Sequence, residues 1–189
     1  MKKSLLVFVC NKLAAFYWVY LKPAIDNYVL NTQKDKFSYF GKQVVFKGGG
    51  TIFHPENISI GNYVQIGENY FIMGIGGVEI GDGTIISRNV CIHSGNHDFK
   101  NSDMIPYDTS YLIKKIIIGK GVWIGQNVNI LPGVTIGDGA IIGMGTTVSK
   151  NVSSYAIVVG TGQREIGLRN KEKFEKALKE ENYFGTIYS

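Results

Sequence analysis

From residue 118 onwards an aliphatic side chain returns at every sixth position: Ile118, Ile124, Ile130, Ile136, Ile142 and Val148. Four residues after each stands a small or β-branched one, in turn Val122, Val128, Val134, Ala140, Thr146 and Val152. Glycine follows the aliphatic directly at 119, 125, 137 and 143. The same beat runs upstream through Ile60, Ile66 and Ile72, slips by two residues at "GIGGVE", and resumes at Ile80, Ile86 and Ile92. Phe46 and Ile52 fit before that, with another two-residue slip. Each hexad reads as a short strand and a turn, with its aliphatic and small residue facing inward and Gly, Asn or Asp supplying the turn. One hexad cannot bury its apolar side alone, whereas stacked coils can, each pairing its backbone with the coil above. The period predicts a mainly β, parallel solenoid over residues 41–162.

The beat breaks once, in "NVCIHSGNHDFKNSDMIPYDTSYLIKKIIIG". A polar loop over 97–115 is predicted to leave the scaffold there, too long to be a mere connection. Residues 163–189 form a C-terminal appendage. Within it, 163–181 reads as a charged helix with Glu172–Lys176 and Glu175–Lys179 spaced as favourable ion pairs, covering the open end of the stack. Residues 1–40 form an N-terminal appendage whose first 22 residues, "MKKSLLVFVCNKLAAFYWVYLK", read as a helix apolar nearly all round. Asn11 and Lys12 interrupt the apolar run, so it suits neither a signal peptide nor a membrane span. Two readings stay open for it. It packs on the protein or a sister subunit, or it makes peripheral contact with a membrane, for which Lys2, Lys3, Lys12, Lys22 and the rings of Phe16, Tyr17, Trp18 and Tyr20 are suited.

Composition adds two constraints. Twenty-four glycines with only four prolines, outside any low-complexity run, agree with regular tight turns. A net charge of +5 favours anionic partners such as phosphate-bearing ligands or an anionic lipid surface. No stripe of alternating basic and aromatic residues supports nucleic-acid binding. Cys10 and Cys91 lie far apart and read as ordinary thiols of a reducing compartment.

The hexads "IIIGKGVWIGQNVNILPGVTIGDGAIIGMGTTVSKNV" resemble those of the hexapeptide-repeat acyltransferases, and in particular the galactoside, maltose and surface-polysaccharide O-acetyltransferase branch. The resemblance covers about residues 44–165. It implies a left-handed parallel β-helix of triangular section. The handedness comes from the family alone, since parallel crossovers are otherwise right-handed. It also implies acetyl-CoA as co-substrate, no metal, and a homotrimer with active sites between subunits.

Acetyl transfer from a thioester needs a base for the attacking hydroxyl, donors for the developing oxyanion, and a channel for the CoA arm. By position in the family, His97 is the expected general base, with His93 the weaker candidate and His54 structural. Trp123, Gly125, Gly143, Ser149, Lys150 and Arg164 match the cofactor channel, the last two suited to phosphates. Loop residues Asp98, Tyr107 and Tyr111, with Asp103 and Asp108, are candidates for binding a sugar. The family's "G-x-P-[AC]-[KR]" after the last coil is here "GTGQR", with Gly162 in place of proline.

The short, apolar, aromatic N-terminus sets the chain apart from serine acetyltransferases and from amino-sugar enzymes with a nucleotide-binding N-terminal domain. It resembles enzymes of capsule, O-antigen and exopolysaccharide synthesis. The expected acceptor is a sugar, nucleotide sugar or lipid-linked glycan, and the expected location is cytoplasmic, at the inner membrane face if the helix meets lipid. The alternatives are N-acetylation of a nucleotide amino sugar, acetylation of a small molecule or antibiotic, and a γ-type carbonic anhydrase holding zinc through His54, His93 and His97.

Overall fold

A computed structural model describes residues 2–99, Met104, 107–160 and 162–183. Strands of two to four residues follow one another around three faces, paired in parallel from coil to coil. The first face stacks Tyr39–Phe40, Ile58–Ile60, Val78–Ile80, Ile116–Ile118 and Thr135–Ile136. The second stacks Val45–Phe46, Gln65–Ile66, Ile85–Ile86, Trp123–Ile124, Ile141–Ile142 and Ala156–Val159. The third stacks Thr51–Phe53, Phe71–Met73, Cys91–His93, Asn129–Ile130 and Thr147–Val148. The chain visits the faces in that order through five coils and starts a sixth, which a bridge from Val152 to Ile136 aligns. The winding is left-handed.

The hexad aliphatics Ile60, Ile66, Ile72, Ile80, Ile86, Ile92, Ile118, Ile124, Ile130, Ile136, Ile142 and Val148 are each at most 3% exposed, one per face per coil. The small residues four places on (Val122, Val128, Val134, Ala140, Thr146 and Val152) are buried as well. Each fully buried Ile contributes about 1.5–3 kcal/mol. Thr84, fully buried, donates from Oγ1 to the Gly119 carbonyl (2.8 Å) and accepts from the Val122 N–H (3.2 Å). It thereby ties the third coil to the fourth.

Coil length explains the slips in the beat. Stacked residues are 20 apart in the early coils (Asn62 and Asp82), 38 apart across the break (Asn89 and Asn127) and 18 apart after it (Lys120 and Asp138). All the surplus falls at the corner between the third and first faces. Two residues extra are absorbed there after Phe53, where His54 at φ 56° opens a short 3-10 turn over Pro55–Asn57, and again after Met73. The third time the same corner releases the long excursion. Its two ends meet at the coil: the Ser94 N–H donates to Met73 O (3.0 Å), Lys114 N–H to Ser94 O (2.9 Å) and Ile116 N–H to Gly77 O (3.1 Å). The buried Ser94 hydroxyl donates to Met73 O (2.6 Å) and accepts from Gly76 N–H (2.8 Å).

The appendages differ from expectation. The excursion begins as an antiparallel ribbon pairing Gly95–His97 with Tyr111–Ile113, so regular structure precedes residue 97. The N-terminus runs as α1 (Lys2–Phe16), a π-helical stretch over Tyr17–Leu21, and α2 (Lys22–Gln33). Every side chain from Val7 to Leu21 is exposed, so this helix is not packed on its own solenoid. Beyond the coils, 163–181 is not one helix. Arg164–Leu168 turns back as an antiparallel strand against Ala156–Val159, and the helix α3 covers only Lys171–Lys179, with Asn170 Oδ1 capping the Lys173 N–H. Its ion pairs are Lys171–Glu175 and Lys176–Glu180. Instead of closing the end of the stack, α3 lies along the corner between the first and second faces, where Phe174 packs over Gly121 and Gly139. The backbone at that corner is left-handed in coil after coil, at Gln43, Tyr63, Gly83, Gly121, Gly139 and Tyr155.

Candidate active site

His97 stands on the extruded ribbon, paired across it with Tyr111. Both tyrosines of the loop turn their rings onto the imidazole. Tyr107 stacks on it with centroids 3.8 Å apart and planes 14° apart, and Tyr111 lies at 4.4 Å and 34°. The Tyr111 hydroxyl is 3.3 Å from His97 Nε2. His97 Nδ1 is buried and has no hydrogen-bond partner among the described residues. The ring is thus held by aromatic stacking, with one nitrogen meeting a hydroxyl and the other meeting no hydrogen-bonding group among the described residues. That arrangement suits a proton acceptor whose second nitrogen is oriented by something outside the described chain. Tyr107 and Tyr111, expected to meet a sugar, here support His97.

Asp98 sits beside this cluster, its N–H donating to Ser110 O at 3.1 Å, and the Asp108 carboxylate accepts from the Ser110 N–H at 2.8 Å. Asp103 lies outside the described residues. His93 is not part of the cluster. It remains at the rim of the third face, half-buried, with its ring stacked on Phe71 at 5.0 Å, and burial lowers its pKa. His54 takes the left-handed turn one coil below Gly74, with Nδ1 3.1 Å from Glu56 Oε1. Among the described residues no group of three or more His, Cys, Asp and Glu could hold a metal ion.

The cofactor candidates divide into two groups on two corners. Trp123, Gly125 and Gly143 line one mainly apolar groove of about 320 Å³ with Ser87, Ile141 and Met144, running from the second face to its corner with the third. Trp123 is 53% exposed there. Gly125 has a packing reason of its own, because a Cβ would lie 2.6 Å from Met144 N in the coil above. Ser149 and Lys150 stand instead at the corner between the third and first faces, two coils beyond the root of the His97 ribbon. Their N–H groups both donate to Gln163 Oε1 (3.0 and 2.8 Å), and Gln163 Nε2 donates back to the carbonyls of Lys150 (2.7 Å) and Asn151 (3.3 Å). Arg164 follows directly, at the start of the antiparallel strand, with its side chain exposed. Gln163, which holds this corner shut, escaped the sequence reading. The signal was the "GTGQR" departure itself, since Gln163 takes the family's small-residue position. Nothing lies within 4 Å of where a Cβ on Gly162 would be, so the glycine there is not required by crowding.

Comparison with known proteins supports the family and the fold. Residues 115–150 match the family model "Bacterial transferase hexapeptide (six repeats)". The chain is 34% identical over 139 residues to the Escherichia coli K12 protein WbbJ, named as a lipopolysaccharide biosynthesis O-acetyl transferase, covering 69% of this chain and 68% of that one. It is also 34% identical over 142 residues to the galactoside O-acetyltransferase of Escherichia coli K12, covering 68% and 66%. A solved galactoside acetyltransferase in complex with coenzyme A superposes with a TM-score of 0.68 at 29% identity, over 76% of this chain and 70% of that one. With its coils and these relatives in agreement, the chain belongs to the hexapeptide-repeat acyltransferase family, as an acetyltransferase.

Proposed function

We propose that this chain transfers an acetyl group from acetyl-CoA to a sugar hydroxyl during surface-polysaccharide synthesis, with His97 as general base. The observation that carries the reading is the imidazole of His97, set against two tyrosine rings on a ribbon that leaves the scaffold at one corner. His97 takes the proton of the acceptor hydroxyl as its oxygen attacks the thioester carbonyl. The new C–O bond forms, the C–S bond breaks, and the proton passes to the departing thiolate. The Tyr111 hydroxyl, 3.3 Å from Nε2, orients the ring. The groove of Trp123, Gly125 and Gly143 fits a narrow, largely apolar arm such as pantetheine. Lys150 and Arg164 supply cations for phosphates.

The groove and His97 arise from different corners of one prism, so a complete site requires two chains. A homotrimer in which one subunit's groove faces its neighbour's ribbon supplies both halves. Acetyl-CoA consumption assayed against sugars, nucleotide sugars and amino sugars tests the reading. His97→Ala is expected to lose at least about a hundredfold in transfer, the usual contribution of a general base. Retention of activity within a few-fold, in protein that keeps its oligomeric size, would overturn it.

A further inference from the structure

The N-terminal helix carries an interaction surface that the acetyl-transfer reading neither uses nor needs. From Val7 to Leu21 the side chains are exposed all round the helix, including Phe8 (58%), Leu13 (63%), Trp18 (62%) and Tyr20 (65%). A helix that docks on one face of its own fold shows an apolar stripe and a polar back, whereas this one exposes apolar side chains around its circumference, so no single face is marked for the solenoid. The charge points to the partner. Lys2, Lys3, Lys12 and Lys22 are the only charged side chains before Asp26, and all are positive. Lys12 and Lys22 lie with their ammonium groups over the rings of Phe8 (5.6 Å) and Trp18 (6.0 Å), so basic groups and aromatic rings share one surface. Phe16, Tyr17, Trp18 and Tyr20 crowd into about one turn, the combination that seats a helix at the headgroup level. No helix among the described residues is long and apolar enough to cross a membrane.

We infer that residues 2–22 seat the protein in the interface of an anionic lipid bilayer, with the aromatic turn Phe16–Tyr20 immersed and the lysines at the phosphates. The test is flotation of the full-length protein with vesicles of phosphatidylcholine containing phosphatidylglycerol, beside vesicles of phosphatidylcholine alone. A Trp123→Phe background leaves Trp18 as the sole indole, so its emission reports on immersion. The expected result is co-flotation that strengthens with the anionic lipid, a blue shift of Trp18, and at least about a tenfold loss of binding in Phe16→Ser/Trp18→Ser/Tyr20→Ser. Binding by Lys3→Glu/Lys12→Glu should lose its preference for anionic lipid. Absence of flotation with either vesicle, or undiminished binding by the triple serine variant, would overturn the inference. So would a drop in oligomeric size in that variant, because it would assign the helix to sister subunits. The solenoid melt is the folding control, since these side chains are exposed and stand outside the buried core.

Discussion

His93 and His97 begin four residues apart and end with different work. His97 sits clamped on the ribbon; His93 stacks on Phe71 within the third sheet. Burial lowers the pKa of His93 from its ordinary value near 6.5, so the folded chain resists protonating it. The unfolded chain therefore takes up its proton first as the pH falls. Stability carries no cost from this group above about pH 6.5 and declines as the pH drops through that value towards the lowered native one. Thermal melts between pH 8 and pH 5 should show a shallower acid-side fall in His93→Gln than in the parent protein. Thr84 offers a second test at this scale. Thr84→Val keeps the shape but strands the Gly119 carbonyl and the Val122 N–H, at a cost of about 1–3 kcal/mol read as a lowered denaturation midpoint.

At the scale of elements, the coils were legible in the sequence because each inward position is a single residue at a fixed step. Ile118 through Val148 needed no knowledge of partners. The C-terminal appendage was misread because its strand is set by a distant neighbour. The charge spacing that is real over 171–180 was extended back over Arg164–Leu168, where alternating Ile166 and Leu168 belong to a strand that pairs with Ala156–Val159. The glycines of the first corner were understood as turn formers, yet Gly121 also makes room for α3. It has φ 58°, and a Cβ there would lie 2.6 Å from the Phe174 ring. Gly121→Ala should therefore release α3 and cost about 1–3 kcal/mol. Phe174→Ala should cost about 3–5 kcal/mol locally while the strand signal of the coils persists in circular dichroism. The Tyr107 and Tyr111 contacts with His97 were not legible, since they depend on how the excursion folds back on itself, with His97 paired to Tyr111 across the ribbon.

For the whole molecule, the proposed division of the site between two corners would make assembly a condition of activity. Sedimentation should give three times the 20.9 kDa of the chain. Mixing inactive His97→Ala with inactive Trp123→Asp and allowing subunits to exchange should restore part of the activity, because some interfaces would then join an intact ribbon to an intact groove. No recovery from mixed trimers would mean that each chain works with its own halves.

The closed base of the excursion carries a separate consequence. Ser94 and Lys114 are joined by a 2.9 Å hydrogen bond, and the coils on either side keep their parallel pairing across it, Met73 with His93 and Val78 with Ile116. That corner is in effect a socket: what is plugged into it can be long, short or rewritten without asking the scaffold to refit. Joining Ser94 to Lys114 through two glycines should leave the melting temperature nearly unchanged while abolishing transfer. The same socket would allow a lineage to exchange one acceptor for another by altering a single segment, with every coil inherited intact.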